Sequence, residues 1–203
     1  MTSIQAPVII LLSQSALPTA ESVAAALPGA RIHGLADRVS GVDERFEHVG
    51  LHLRTLFLAG TPIVGVCAAA VLIRSIAQLL VDKTVEPPVL AVAENGGAVV
   101  PLLGGHHGAN DIARTVAAAL GCEAAITTAG DIRFGVALDQ PPHGWTLANP
   151  QHAKSVTAAL LSGVPARIED GPRGLNPLTC PVPQPGLWFC ASRIAPKSET
   201  ITP

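Results

Sequence analysis

The sequence predicts an α/β fold, a parallel-sheet βαβ N-terminal domain followed by a smaller second α/β unit. Three observations carry the prediction. Short continuous apolar runs, VIILL (8–12), TPIVGV (61–66) and VLAVA (89–93), have the length and β-branched content of strands buried on both faces. Between them stand longer segments whose apolar residues recur at helical spacing. Strands that alternate with helices of this length pair in parallel, because the helix returns the chain to the edge from which it started. With 48% hydrophobic and 14% charged residues in a chain of 203, there is ample apolar surface for a core.

Taken in order, VIILL reads as the first strand. Pro18 and Thr19 introduce the helix AESVAAAL, which Pro28 and Gly29 stop. A short second strand fits 31–33. Between residues 44 and 58, Phe46, Val49, Leu53, Leu56 and Phe57 recur at helical spacing, predicting one surface helix closed by Gly60. The strand at 61–66 feeds the alanine- and leucine-rich CAAAVLIRSIAQLL, a mostly buried helix. After Pro87 and Pro88 comes VLAVA, and Glu94-Asn95-Gly96-Gly97 turns the chain into AVVPLL, since Asn-Gly accepts the positive φ angles of hairpins. Pro101 argues against a central place for that last run.

NDIARTVAAAL is an amphipathic helix with Ile112, Val116, Ala119 and Leu120 on one stripe, ended by Gly121, and AAIT (124–127) reads as a further strand. These elements define a domain over 1–134. Residues 135–203 form the second unit: a Pro-rich connection, the helix PQHAKSVTAALLSG, and a Pro- and Gly-rich remainder whose tail reads as a linker.

Several classes of function are disfavoured. A net charge of -2 and 3% aromatic residues, with no tyrosine, give neither the basic field nor the stacking surface of a nucleic-acid binder. No run has the length of a membrane span or the flanks of a secretory signal, so a cytoplasmic location is expected. Cys67, Cys122, Cys180 and Cys190 lack C-x-x-C spacing and suggest reduced thiols. Neither a P-loop nor a dinucleotide fingerprint is present, and no cofactor is expected.

The chemically distinctive stretch is PLLGGHHGAN (101–110). Gly104, Gly105 and Gly108 allow close approach of backbone to a ligand, and the helix that follows offers its positive end to an anion. His106 or His107 could exchange protons near neutral pH, and Asn110 could orient a carbonyl or cap the helix. The same residues would also make a plain turn before a capped helix. Cys67 stands at a second strand-to-helix junction, as a nucleophile or as a small buried hydrophobe. Arg74 and Lys83 could hold carboxylates or mark a solvent edge. Thr127, Thr128 and Asp131 end the last predicted strand, where polar contacts to a ligand or ordinary turn bonds are both possible. His48 and His52 have i,i+4 spacing, but they face away from the apolar stripe with no obvious third ligand, so no metal is expected. Function further requires that the loops after Val66 and Leu103 converge into a shared crevice.

The ordered motifs GVCAA with a later Ile-Arg, Asp-Lys before a Pro-rich strand, PLLGGHHGAN and ITTAGD together resemble the N-terminal region of the CbiG family, the cobalt-precorrin-5A hydrolases. ANPQHAKSVTAALLSG is similar to that family's middle region. The resemblance implies a role in cobalamin (corrin ring) biosynthesis: hydrolytic opening of the ring-A δ-lactone of cobalt-precorrin-5A, with loss of acetaldehyde. It implies His106 as the catalytic residue, an anionic corrinoid held by Cys67, Arg74, Lys83, Gly104, Gly105, Gly108, Asn110, Thr127, Thr128 and Asp131, and a C-terminal CbiG-type domain as partner. The GHHGAN and AGDIRFG variants also resemble the CbiG-like module that precedes precorrin-3B C17-methyltransferase in some bacteria. That likeness implies the alternative of a non-catalytic corrinoid- or partner-binding module in a methyltransferase fusion. The chain departs from the family's pattern by one glycine fewer in the turn and by the missing glycine after Cys67-Ala68.

Overall fold

The structure, a computed structural model, describes residues 5–83, 85–134, 145–147, 150–163 and 191–193, with the backbone alone at 106, 131, 134, 145–147, 150 and 191–193. The Pro-rich connection and the tail lie outside the described residues. Contacts divide the chain into two compact units after Ile126.

The first unit is built on a six-stranded sheet. In chain order its elements are β1 (Val8–Leu11), α1 (Leu17–Ala26), β2 (Arg31–Leu35), β3 (Glu44–Phe46), α2 (Val49–Leu58), β4 (Ile63–Val66), α3 (Ala69–Ile76), β5 (Val89–Val92), β6 (Val99–Leu103) and α4 (Ala109–Leu120). The strands lie in the order β3-β2-β1-β4-β5-β6. The first five are parallel and β6 runs antiparallel to β5. The fold is therefore mixed α/β with a mostly parallel sheet, as the alternation of apolar runs predicts.

Residue alternation sets the two layers. Ile9, Leu11, Val64, Val66, Leu90 and Val92 meet Ala20 and Val23 of α1 and Ala113 and Val116 of α4 on one face. Val8, Ile10, Ile63, Val89 and Ala91 meet Leu53 and Phe57 of α2 and Leu72 and Ile76 of α3 on the other. All four residues of β1 are buried, each such side chain contributing about 1.5–3 kcal/mol relative to exposure. In β3 only Phe46 is buried, so this three-residue edge strand has far less holding it.

The structure corrects the reading of 44–58. Glu44–Phe46 is a strand on β2, with His33 opposite Glu44, and the helix starts only at Val49. Phe46 satisfies a helical and a strand pattern equally, and pairing with β2 decides between them. Residues 124–127 are also not a strand, since only Ala124 bridges to Val99. The helix after Cys67 is shorter than expected and ends in a 3-10 turn at 77–79. Pro101 lies in the edge strand β6, next to an irregularity in its register with β5, where a missing N–H donor is tolerated.

The second unit contains α5 (Ala129–Phe134), α6 (Pro150–Leu161) and an antiparallel pair of β7 (Trp145–Leu147) and β8 (Ala191–Arg193). Ala153, Val156 and Leu160 form the buried stripe of α6. Arg133 donates a hydrogen bond to the carbonyl of Leu161. No helix among the described residues is long and apolar enough to cross a membrane.

Candidate functional site

Strand direction decides which predicted residues meet. Val66 pairs with Leu11 and Val92, so Cys67 leaves the sheet at the carboxyl edge of the parallel strands. Leu103 pairs with Val89, the first residue of β5. The turn that follows β6 therefore leaves from the amino edge, about 10 Å of strand away from the level of Val66. The expected convergence of the loops after Val66 and Leu103 does not occur, because the hairpin that joins β5 to β6 reverses the chain. That hairpin closes through Ala93 N–H to the Ala98 carbonyl at 3.0 Å, with Gly96 at φ 72°.

At the amino edge, GGHHGAN folds into a single 3-10 turn, Gly105–His107, between two left-handed glycines. Gly104 has φ 72° and Gly108 φ 89°. The N–H groups of His107 and Ala109 donate to the Gly104 carbonyl at 2.8 and 3.1 Å. A Cβ at Gly104 would lie 2.5–2.6 Å from the backbone of Pro87 and Pro88, whereas nothing lies within 4 Å of a Cβ at Gly105 or Gly108. Gly104 thus seats the turn on the prolines, and Gly105 and Gly108 leave space where side chains would stand, beside the positive end of α4. His106 is placed in this turn by its backbone, its side chain lying outside the description. His107 is exposed.

Asn110 does not cap the helix. The cap is Gly108, whose backbone angle ends the turn, and Asn110 is a buried residue of the first helical turn. Arg74 sits in the last turn of α3 and Lys83 in the segment leading to β5, both exposed. Because α3 returns the chain toward the start of β5, these two cations lie on the stretch that leads back to the amino edge of the first unit's sheet. Thr127, Thr128 and Asp131 fall in the second unit, where Thr127 and Thr128 are exposed and Asp131 is a residue of α5.

Cys67 is 8% exposed within the core under α2 and α3. Burial, with Glu94 adding to it, pushes its thiol up to about 11. It holds its proton at neutral pH, which suits a core residue and not a nucleophile. Cys67 and Cys122 are free thiols.

Glu86 was not apparent as a candidate from the sequence. It is 8% exposed and immediately precedes Pro87, against which Gly104 packs. Among the described residues it is the one buried carboxylate. The only sequence signal for it is its place before the Pro-Pro pair. Also missed are Ser13, Ser15 and Glu94 at the carboxyl edge, where β1 and β4 diverge to α1 and α3. There Ser13 Oγ and Ser15 Oγ lie 2.5 Å apart, Ser15 Oγ is 3.4 Å from Glu94 Oε2, and Thr19 Oγ1 donates to the Glu94 carbonyl at 2.6 Å.

The fold and turn define a class: a doubly wound α/β module that carries a glycine-bracketed, histidine-bearing turn at the amino edge of its sheet. Residues 51–131, which hold that turn, match the family model described as Cobalamin synthesis G N-terminal. Curated relatives agree. A cobalt-precorrin-5A hydrolase of Priestia megaterium is 31% identical over 117 residues, which cover 56% of this chain and 31% of the relative. A second, from Salmonella typhimurium, is 38% identical over 87 residues, covering 42% and 25% respectively. The chain thus spans less than a third of the length of the curated relatives it matches. Among solved structures, a cobalamin biosynthesis protein G homolog from Sulfolobus solfataricus aligns with 82% of this chain and 52% of its own at 22% identity, with a TM-score of 0.47.

Proposed function

We propose that this chain acts in corrin-ring biosynthesis as the N-terminal part of a cobalt-precorrin-5A hydrolase, with the amino-edge turn as the part that meets the macrocycle. The observation that supports this reading is that the matched region 51–131 contains the whole of GGHHGAN. The substrate is an anionic corrinoid intermediate with several carboxylates. Water adds to the acyl carbon of the ring-A δ-lactone, the resulting oxyanion collapses, and the acyl C–O bond breaks to give a carboxylate and an alcohol. The two-carbon fragment is then lost as acetaldehyde.

His106 acts as general base toward water or as acid toward the departing oxygen. Backbone N–H groups around Gly105 and Gly108 stabilise the oxyanion, an arrangement that one missing donor weakens by about 3–4 kcal/mol in other acyl-transfer sites. Arg74 and Lys83 hold carboxylates at the macrocycle's rim, and Glu86 supplies a buried carboxylate on the same edge. Asn110, Thr127, Thr128 and Asp131 remain candidate contacts. The reaction takes place in the cytoplasm, with a C-terminal CbiG-type domain or a methyltransferase domain as the natural partner.

The test is to incubate the chain with cobalt-precorrin-5A, alone and with the C-terminal region of a relative, and to follow acetaldehyde. Loss of at least a hundredfold in His106→Ala supports the assignment; full activity in that variant removes His106 from the mechanism. The second reading, a module that binds the corrinoid without turning it over, is supported by the exposed setting of Arg74 and Lys83, which suits docking an anion. It expects saturable corrinoid binding with no acetaldehyde from the chain alone.

A further inference from the structure

The hydrolase reading leaves unused a polar cluster under α2, formed by His33 of β2, Glu44 of β3 and His52 of α2. His33 is 4% exposed, and its Nε2 is buried without a hydrogen-bond partner among the described residues. Its Nδ1 lies 2.9 Å from His52 Nε2, and its Nε2 lies 3.6 Å from Glu44 Oε2. One donor atom from each residue can be chosen so that all three lie within 4.8 Å of one another. The Phe46 ring stacks on His52 at 4.4 Å between centroids and 6° between planes, which fixes the imidazole's orientation.

Hydrogen bonds within the trio do not satisfy it. Only one proton can lie between His33 Nδ1 and His52 Nε2. When His52 donates it, the N–H left on His33 Nε2 faces Glu44 across 3.6 Å, beyond hydrogen-bonding length. When His33 donates, the bare Nε2 lone pair faces a carboxylate. An unmet buried polar atom is destabilising, and a cation would resolve it by accepting a lone pair from each residue. Two imidazole nitrogens and one carboxylate oxygen are the donor set of open zinc sites, in which tetrahedral donors stand about 3.3 Å apart. The 2.9 Å contact is made by Nδ1 of His33 and the 3.6 Å contact by its Nε2, so an ion held through one His33 nitrogen uses one of these spacings, and the three donor atoms, all within 4.8 Å of one another, converge on it by small side-chain rotations.

We propose that His33, Glu44 and His52 bind one divalent transition-metal ion of the zinc class, leaving a remaining position to water. Glu44, with its side chain 46% exposed, gives the ion access from solvent, and Arg31 at 3.8 Å is the cation it displaces. The ion clips the short edge strand β3 to β2 and to the first turn of α2. This site is independent of the glycine turn and lies outside the matched region apart from His52.

The experiment is a calorimetric titration of the chelator-treated chain with zinc chloride, repeated with cobalt(II) chloride to read coordination by visible absorption. One equivalent binds at micromolar concentration or tighter and raises Tm, and the cobalt spectrum lacks thiolate charge-transfer bands. Glu44→Gln, a half-exposed change that leaves the core intact, weakens binding at least tenfold, as does His52→Gln, while His48→Gln leaves it unchanged. His33→Ala abolishes binding; should that variant not fold, the Glu44→Gln and His52→Gln results decide. Absence of saturable binding to the wild type, thiolate bands in the cobalt spectrum, or unchanged binding in both substituted variants overturns the proposal.

Discussion

The two edges of the sheet are built in opposite ways. At the carboxyl edge, where doubly wound folds usually bind ligands, polar side chains are engaged with one another: Ser13 with Ser15, Thr19 with the Glu94 carbonyl, and Ser40 N–H with Gln14 Oε1 at 2.9 Å. Cys67, the one candidate nucleophile there, is buried and protonated. At the amino edge the chain spends three glycines on a turn, of which only Gly104 has no room for a Cβ, because neighbouring backbone would meet it. The usual edge is lined by side chains bonded to one another, while the unusual one presents glycines with room beside a helix start. The distinctive loop therefore does not lie at the edge that the fold type alone would suggest, because one antiparallel strand moves it to the other side.

The comparison is broken most severely at Gly104. Gly104→Ala combines a left-handed backbone with a collision against the backbone of Pro87 and Pro88. It is expected to lose about 2–5 kcal/mol, read from the urea midpoint. An unchanged midpoint would show that the turn is not seated on the prolines. At the other edge, the thiol at about 11 against an ordinary 9.0 leaves roughly a hundredfold less Cys67 thiolate near neutral pH. Alkylation of Cys67 in the native chain should be slower than that of a free thiol by at least that factor, as peptide mapping would show. Rapid labelling would restore Cys67 as a candidate nucleophile.

Gly108→Ala sharpens the contrast, since it meets backbone strain without a collision and should lose about 1–2 kcal/mol. Titration of the metal-free chain tests the flank of the sheet. Burial, only partly opposed by Glu44, holds His33 and His52 below the usual imidazole value of 6.5. The native state then binds fewer protons than the unfolded state as pH falls below 6.5. Stability is present in full above that pH and is lost as pH drops through the lowered native values. Unfolding followed from pH 8 to 5 should show this slope in the wild type and a flatter one in His33→Gln/His52→Gln. The smallest effect is expected for Gly105→Ala, within about 0.5 kcal/mol in stability, yet with reduced corrinoid turnover or binding. A variant unaffected in both would remove Gly105 from the site.

Much of the fold was legible because each apolar strand run is bounded by turn chemistry. VIILL, TPIVGV and VLAVA became β1, β4 and β5, and Asn95-Gly96 marked the hairpin. Residues 44–46 were misread because Phe46 fits both periods and three residues carry too little pattern to separate them. The same error concealed the cluster under α2: with Glu44 placed on a helix, its register opposite His33 could not be seen, and His52 stood paired in sequence with His48, an exposed residue before the helix.

By itself the sequence determined the layered α/β architecture and the identity of the glycine turn, because burial periodicity and backbone permissiveness are local properties of a few adjacent residues. Only the tertiary structure decided which loops share an edge and which side chains stand face to face. Strand direction and register are set by pairing between segments tens of residues apart, and that pairing put Cys67 and the glycine turn at opposite edges while drawing His33, Glu44 and His52 together.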